Sequence, residues 1–393
     1  MRRFRKFVYK ALSRVKISVR DSYKAIRKVQ SIAKPVGTEL YHAFDRHIMV
    51  GNREIPIRVF EPHYQDPLSS EILEHINLNA KPNEIEIPQT IRDNISDQPG
   101  ALKRQIEETI PGTLIFFHGG GWVTGNIDTY SELCANIADT TGMTVLSIDY
   151  RLAPEFPYPA GLDDCRAAVR QILNFSQESR LDLDNFILIG DSAGANLAAA
   201  VSLSAVDNND LYCPRQILIY PATNSDYSEN TRFRSVIENG KDYLLTQDKL
   251  IDYMDLYAPT PEMKASPYVA PVQASDLSGQ PETLIITAEF DPLRDEGEFY
   301  GARLAEAGVP VAVYRVKDAV HGFFSGGTAS EFGNAAYQIM LNFMSIEIPV
   351  LVRTGSEEVE VVEVLNTLGR SLYTQTTTSD ALESVNLKKV EGQ

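Results

Sequence analysis

From Gly112 onward, short apolar runs alternate with helix-like segments, and this alternation constrains the fold of the 393-residue chain more than any other feature. The runs Thr113–Phe117, Thr144–Ile148, Phe186–Ile189, Gln216–Tyr220, Thr283–Thr287 and Val311–Val316 have strand length and little polar interruption. Helical spacing predicts helices over Glu132–Thr140, Asp163–Asn174, Ala193–Val206, Glu296–Ala307 and Glu331–Phe343. Strands apolar on both faces and separated by helices imply a mostly parallel sheet covered on both sides, an open α/β fold. Upstream, His47–Val50 and Ile55–Phe60 flank Gly51-Asn52, a turn pair that predicts a β-hairpin.

The flanking regions differ in character. Residues 1–34 carry twelve Lys/Arg and one acid, Asp21, for a charge of +11, whereas the other 359 residues carry -27. Apolar residues from Phe4 to Val29 recur at helical spacing, so residues 1–45 read as basic amphipathic helices. Residues 46–347 form the α/β domain, residues 63–110 a polar, acidic surface excursion from it, and residues 348–393 a tail. The acidic body repels phosphate backbones, which argues against a nucleic-acid partner. No run approaches the roughly 18 apolar residues of a membrane span, and the basic N-terminus lacks the apolar core of a signal peptide. Cys134, Cys165 and Cys213 are too few and too dispersed for a disulfide framework or a Cys-based zinc site. A cytoplasmic setting is expected.

The chemistry concentrates at strand ends. Gly190-Asp191-Ser192-Ala193-Gly194 is a G-x-S-x-G pentapeptide between an apolar run and an Ala-rich helix. At such a strand-to-helix turn the glycines permit a tight backbone and the serine hydroxyl is pushed outward. A serine nucleophile needs a base, and the base an orienting carboxylate. His321 follows the run Val311–Val316 and Asp291 follows Thr283–Thr287. Ser192, Asp291 and His321 are thus the predicted catalytic residues, with Asp295 the rival carboxylate. His118-Gly119-Gly120-Gly121-Trp122 follows the run Thr113–Phe117. The amides of Gly119, Gly120 and Gly121, together with that of Ala193, form the predicted oxyanion hole. Trp122 borders that loop as a candidate substrate contact, and His118 is expected to orient the loop by hydrogen bonding. Neither phosphate-binding glycine spacing, G-x-x-x-x-G-K-[ST] or G-x-G-x-x-G, fits Gly119–Gly121.

The blocks HGGGW (118–122), DYRLAPE (149–155), FPYPAGLDD (156–164), GDSAGANLA (190–198), DPLRDEG (291–297) and HGF (321–323) occur in this order. With these blocks the sequence resembles the hormone-sensitive-lipase-like (family IV) esterases of the α/β-hydrolase fold over about residues 45–345. The resemblance implies an α/β-hydrolase sheet, a cap made largely of N-terminal helices, and a structural role for Asp149, Tyr150, Arg151 and Pro154. It implies hydrolysis of a small-molecule carboxylic ester by Ser192, His321 and Asp291, with no cofactor and no metal. Amide or N-acyl deacylation on the same triad is the alternative chemistry, and a non-catalytic, ligand-binding hydrolase homologue is the alternative class. The surplus charge at the N-terminus adds one expectation: residues 1–20 make a peripheral contact with an anionic membrane surface, and residues 21–45 belong to the cap.

Overall fold

The computed structural model describes residues 18–32, 42–62, 112–174 and 186–344, together with two short strand segments at 359–361 and 376–377. The excursion at 63–110, residues 1–17 and most of the tail lie outside the described residues.

The first described element is helix α1 (Val19–Ile32). The hairpin follows as β1 (Ala43–Val50) and β2 (Arg53–Phe60), joined through Gly51, whose φ of 61° suits a residue without Cβ. After β3 (Thr113–Phe117) the chain alternates through α2 (Ser131–Thr141), β4 (Thr144–Ile148), α3 (Ala160–Asn174), β5 (Ile187–Asp191), α4 (Ala193–Asn208) and β6 (Arg215–Ile219). Three helices come next, between β6 and β7: α5 (Arg234–Asn239), α6 (Gln247–Tyr257) and α7 (Pro261–Lys264). The domain closes with β7 (Glu282–Phe290), α8 (Arg294–Glu306), β8 (Val311–Val320) and α9 (Glu331–Met344).

The strands form one sheet in the order β1-β2-β4-β3-β5-β6-β7-β8. Pairing is parallel from β4 to β8 and antiparallel at β1–β2 and β2–β4. At the far edge, β9 (Val359–Val361) pairs antiparallel with β8, and β10 (Thr376–Thr377) with β9. Alternate side chains feed two cores. Ile115, Phe117, Leu188 and Ile285 face one core, with α3, α4 and α8, whereas Leu114, Phe116, Ile187 and Leu284 face the other, with α2 and α9. Helix α4 is buried along all but its last turn, which explains why Ala and Gly fill it.

Two strands run further than their apolar runs predict. β8 continues through Lys317 and Asp318 to Val320, and β7 continues to Phe290 across a register irregularity between Ala288 and Phe290. Polar residues hide these extensions from an apolar pattern, but their consequence is direct. Asp291 and His321 each stand at the very end of a strand.

Candidate active site

The pentapeptide turns as its composition demands. Strand β5 ends at Asp191, helix α4 begins at Ala193, and Ser192 between them has φ 55° and ψ -118°, a strained backbone for a residue with a side chain. Three hydrogen bonds fasten that peptide: Ser192 N–H donates to the Ile219 carbonyl (2.9 Å), and the Ser192 carbonyl accepts from Asn196 (3.1 Å) and Ala222 (3.3 Å). The flanking glycines are obligatory for a steric reason. A Cβ on Gly190 would lie 2.7 Å from the Phe117 carbonyl oxygen, and one on Gly194 would overlap that same oxygen.

Ser192, His321 and Asp291 meet as a relay. Ser192 Oγ lies 2.9 Å from His321 Nε2, and His321 Nδ1 lies 2.7 Å from Asp291 Oδ2. Because the carboxylate only accepts, Nδ1–H donates to Asp291, which leaves Nε2 to accept the serine hydroxyl proton. Asp291 is fully buried and its other oxygen accepts from Leu293 N–H (2.9 Å). His321 packs against the Tyr220 ring at a centroid distance of 4.6 Å. The rival carboxylate is occupied elsewhere. Asp295 pairs with Arg294 at 2.9 Å and accepts from Ser235 N–H at 2.7 Å.

The glycine loop lies beside the relay. Gly120 and Gly121 have φ values of 110° and 63°. Gly119 N–H donates to Asp191 Oδ1 at 2.8 Å and is therefore already engaged. The amides of Gly120, Gly121 and Ala193 make no hydrogen bond to another described residue. His118 beneath the loop is fully buried, donates from Nδ1 to the Gly119 carbonyl (2.8 Å) and stacks on Tyr150, and burial pushes its pKa down to about 4. It is neutral at pH 7. Trp122 is 4% exposed, stacks on Tyr257 of α6 at 4.5 Å, and donates from its indole to Asn196.

Asp191 was not among the predicted site residues. Burial raises its carboxyl pKa to about 6, opposed by the attraction of His321 and by donors from Gly119, Tyr130 (3.2 Å) and Tyr220 (3.3 Å). Its position next to the nucleophile was the available signal. Tyr253 of α6 was also missed; its ring sits where a Cβ on Gly121 would go. Arg151 and Asp164, from the second and third motif blocks, pair through two bonds of 2.8 and 2.9 Å that brace the segment leading into α3.

With this geometry in view, the similarity to known proteins is informative. Residues 114–325 match the profile of a family described as having the alpha/beta hydrolase fold. The chain belongs to that family. Within it, this hydrolase is a hormone-sensitive-lipase-like member, a class of carboxylic ester hydrolases. It is 36% identical over 233 residues to an arylesterase of Saccharolobus solfataricus, covering 59% of this chain and 74% of the relative. It is 33% identical over 219 residues to an ethyl acetate hydrolase of Pseudomonas putida, covering 56% and 68%. Among solved structures, a hyperthermophilic esterase from Pyrobaculum calidifontis superposes with a TM-score of 0.67 at 26% identity, covering 88% of this hydrolase and 97% of that chain. Among the described residues, no helix is long and apolar enough to cross a membrane.

Proposed function

We propose that this hydrolase cleaves short-acyl carboxylic esters through a Ser192 acyl-enzyme. The observation that carries the reading is the continuous relay from Ser192 Oγ to His321 to buried Asp291, at 2.9 and 2.7 Å. Ser192 Oγ attacks the ester carbonyl while His321 Nε2 takes its proton. The developing oxyanion is held by the amides of Gly120, Gly121 and Ala193, each such donor contributing about 10²–10³ in rate. His321 then returns the proton to the departing alkoxide, and the alcohol leaves. Water, deprotonated by the same imidazole, attacks the acyl-serine, and the acid leaves with the serine hydroxyl restored.

The preference for short acyl groups rests on packing. Tyr253 covers Gly121, and Trp122 stacks on Tyr257, so aromatic rings of α6 fill the space on that side of the glycine loop. The description of the Pseudomonas relative as an ethyl acetate hydrolase points the same way. The test is hydrolysis of p-nitrophenyl esters from acetyl to palmitoyl by the native enzyme and by Ser192→Ala. Turnover is expected to be highest on the short esters, and Ser192→Ala is expected to lose about 10⁴-fold or more in kcat. A variant that keeps a tenth of the native rate removes Ser192 from the chemistry. Faster turnover of palmitoyl than of butyryl esters removes the chain-length preference.

A further inference from the structure

The N-terminal helix reaches the glycine loop itself. Its first turn is fixed to α6: Ser18 Oγ and Val19 N–H donate to Asp252, and Arg20 pairs with Asp252 and Asp255. Two turns further on, the Arg27 guanidinium spreads over three acceptors. Nε donates to the Val123 carbonyl at 2.6 Å, Nη2 to the Ala153 carbonyl at 2.5 Å, and Nη1 to Glu155 at 2.8 Å. In the next turn Gln30 Oε1 accepts from Gly125 N–H at 3.2 Å. Ala153 N–H in turn donates to the Trp122 carbonyl at 2.9 Å, so Arg27 ties together two segments that already touch.

We propose that Arg27 is a positioning residue for the oxyanion hole, holding the downstream end of the loop 119–125 so that the Gly120 and Gly121 amides stay aimed at the reacting carbonyl. The inference rests on the reading of those amides as oxyanion donors. The loop is held at its start, middle and end. Asp191 holds its start through the Gly119 amide, and Tyr257, Asn196 and the Ala153 amide hold Trp122. Arg27 with Gln30 holds the end at Val123 and Gly125, and Arg27 braces the Ala153 segment through its carbonyl. Between the anchors stand Gly120 and Gly121 at positive φ, residues with more backbone freedom than any other type. Donors aimed by such a backbone wander unless both ends are fixed, and a misplacement of about 1 Å costs on the order of 10² in rate. A planar fork that donates in three directions suits the task, and a lysine, which offers one point charge, does not.

The demand falls on the transition state. The ground-state carbonyl needs the oxyanion donors less than the tetrahedral intermediate does, so loosening the loop lowers kcat more than it changes KM. The test uses the full chain with p-nitrophenyl butyrate, comparing Arg27→Ala, Arg27→Lys and Glu155→Gln. Arg27→Ala is expected to lose about 10- to 100-fold in kcat with KM within about threefold. Arg27→Lys should fall between it and the native enzyme. Glu155→Gln, which leaves both carbonyl contacts intact, should stay near the native rate. Because the guanidinium site is partly open to solvent, millimolar guanidinium should restore part of the Arg27→Ala rate without altering the native enzyme. An Arg27→Ala kcat within twofold of native overturns the proposal. So does a loss of kcat that follows the unfolded fraction on thermal denaturation and is not relieved by guanidinium, since the helix would then contribute packing alone. Either result leaves the serine mechanism standing when Ser192→Ala is inert, whereas an active Ser192→Ala fails the mechanism first.

Discussion

The amide of Gly119 donates to Oδ1 of Asp191 at 2.8 Å, so the residue just before the nucleophile also grips the first glycine of the loop beside it. Nucleophile and oxyanion donors are thereby built on one junction, the adjacent C-terminal ends of β3 and β5. The junction places a carboxyl acceptor in a buried position. Tyr130 and Tyr220 supply the other two hydrogen bonds that keep it tolerable.

Asp191→Asn separates the charge from the shape. The amide keeps an oxygen for the Gly119 N–H but loses the charge-assisted character of the bond, and its nitrogen no longer accepts from Tyr130 and Tyr220. The native carboxyl, raised to about 6 by burial, is ionised at pH 8 and becomes neutral as the pH falls below 6. The variant is neutral throughout. Its kcat/KM at pH 8 is expected to be about tenfold below native, and the gap should narrow toward pH 5, as read from a pH–rate profile between 5 and 9. A constant ratio across that range would mean that the Asp191 charge plays no part.

Gly194→Ala tests the packing behind the elbow. The new Cβ would overlap the Phe117 carbonyl oxygen and lie 2.7 Å from the His118 carbonyl oxygen. Phe117 cannot yield, because β3 is paired on both sides, with β4 and β5. The expected loss is about 3 kcal/mol or more in chemical denaturation, along with the esterase activity. Gly308→Ala provides the contrast. Nothing lies within 4 Å of its Cβ site, so only the strain of φ 81° remains, a cost of about 1–2 kcal/mol. Equal losses at the two positions would contradict the steric account.

The framework of this site was legible in the sequence because its signals are local. A strand-length apolar run marks a strand, and Ser192, Asp291 and His321 each follow such a run within a few residues, although a glycine marks the strand end only at Ser192. What escaped was of two kinds. The segment between β6 and β7 yielded no predicted helix, although Leu250, Met254 and Tyr257 are buried at helical spacing and Thr246 caps α6. Its polar residues dilute the apolar pattern below what a strand–helix alternation needs. Arg27 escaped for a different reason. It is one of twelve bases in a charged stretch, and its partners Val123, Ala153 and Glu155 lie 96, 126 and 128 positions away. Composition predicts the attraction between the basic head and the acidic body, but only folding selects which arginine meets two carbonyls.

Glu296 carries the last prediction, a pH dependence of stability. It is fully buried in α8, with Oε1 accepting from Thr223 N–H, Asn224 N–H and the Tyr227 hydroxyl, while Oε2 has no partner among the described residues. Burial, aided by the negative charge of Asp291, outweighs those donors and raises the carboxyl pKa to about 8. The folded state thus holds its proton more tightly than the unfolded chain, where an ordinary glutamate releases it near 4.5. The stability linked to this proton is complete below about pH 4.5 and is lost progressively as the pH rises through 8, on the order of several kcal/mol in all. Glu296→Gln keeps the accepting oxygen and is neutral at every pH, so it mimics the protonated acid. Its melting temperature should match the native value near pH 5 and exceed it by several degrees at pH 9. Two melting curves that shift in parallel between pH 5 and 9 would show that Glu296 titrates alike in the folded and unfolded chain.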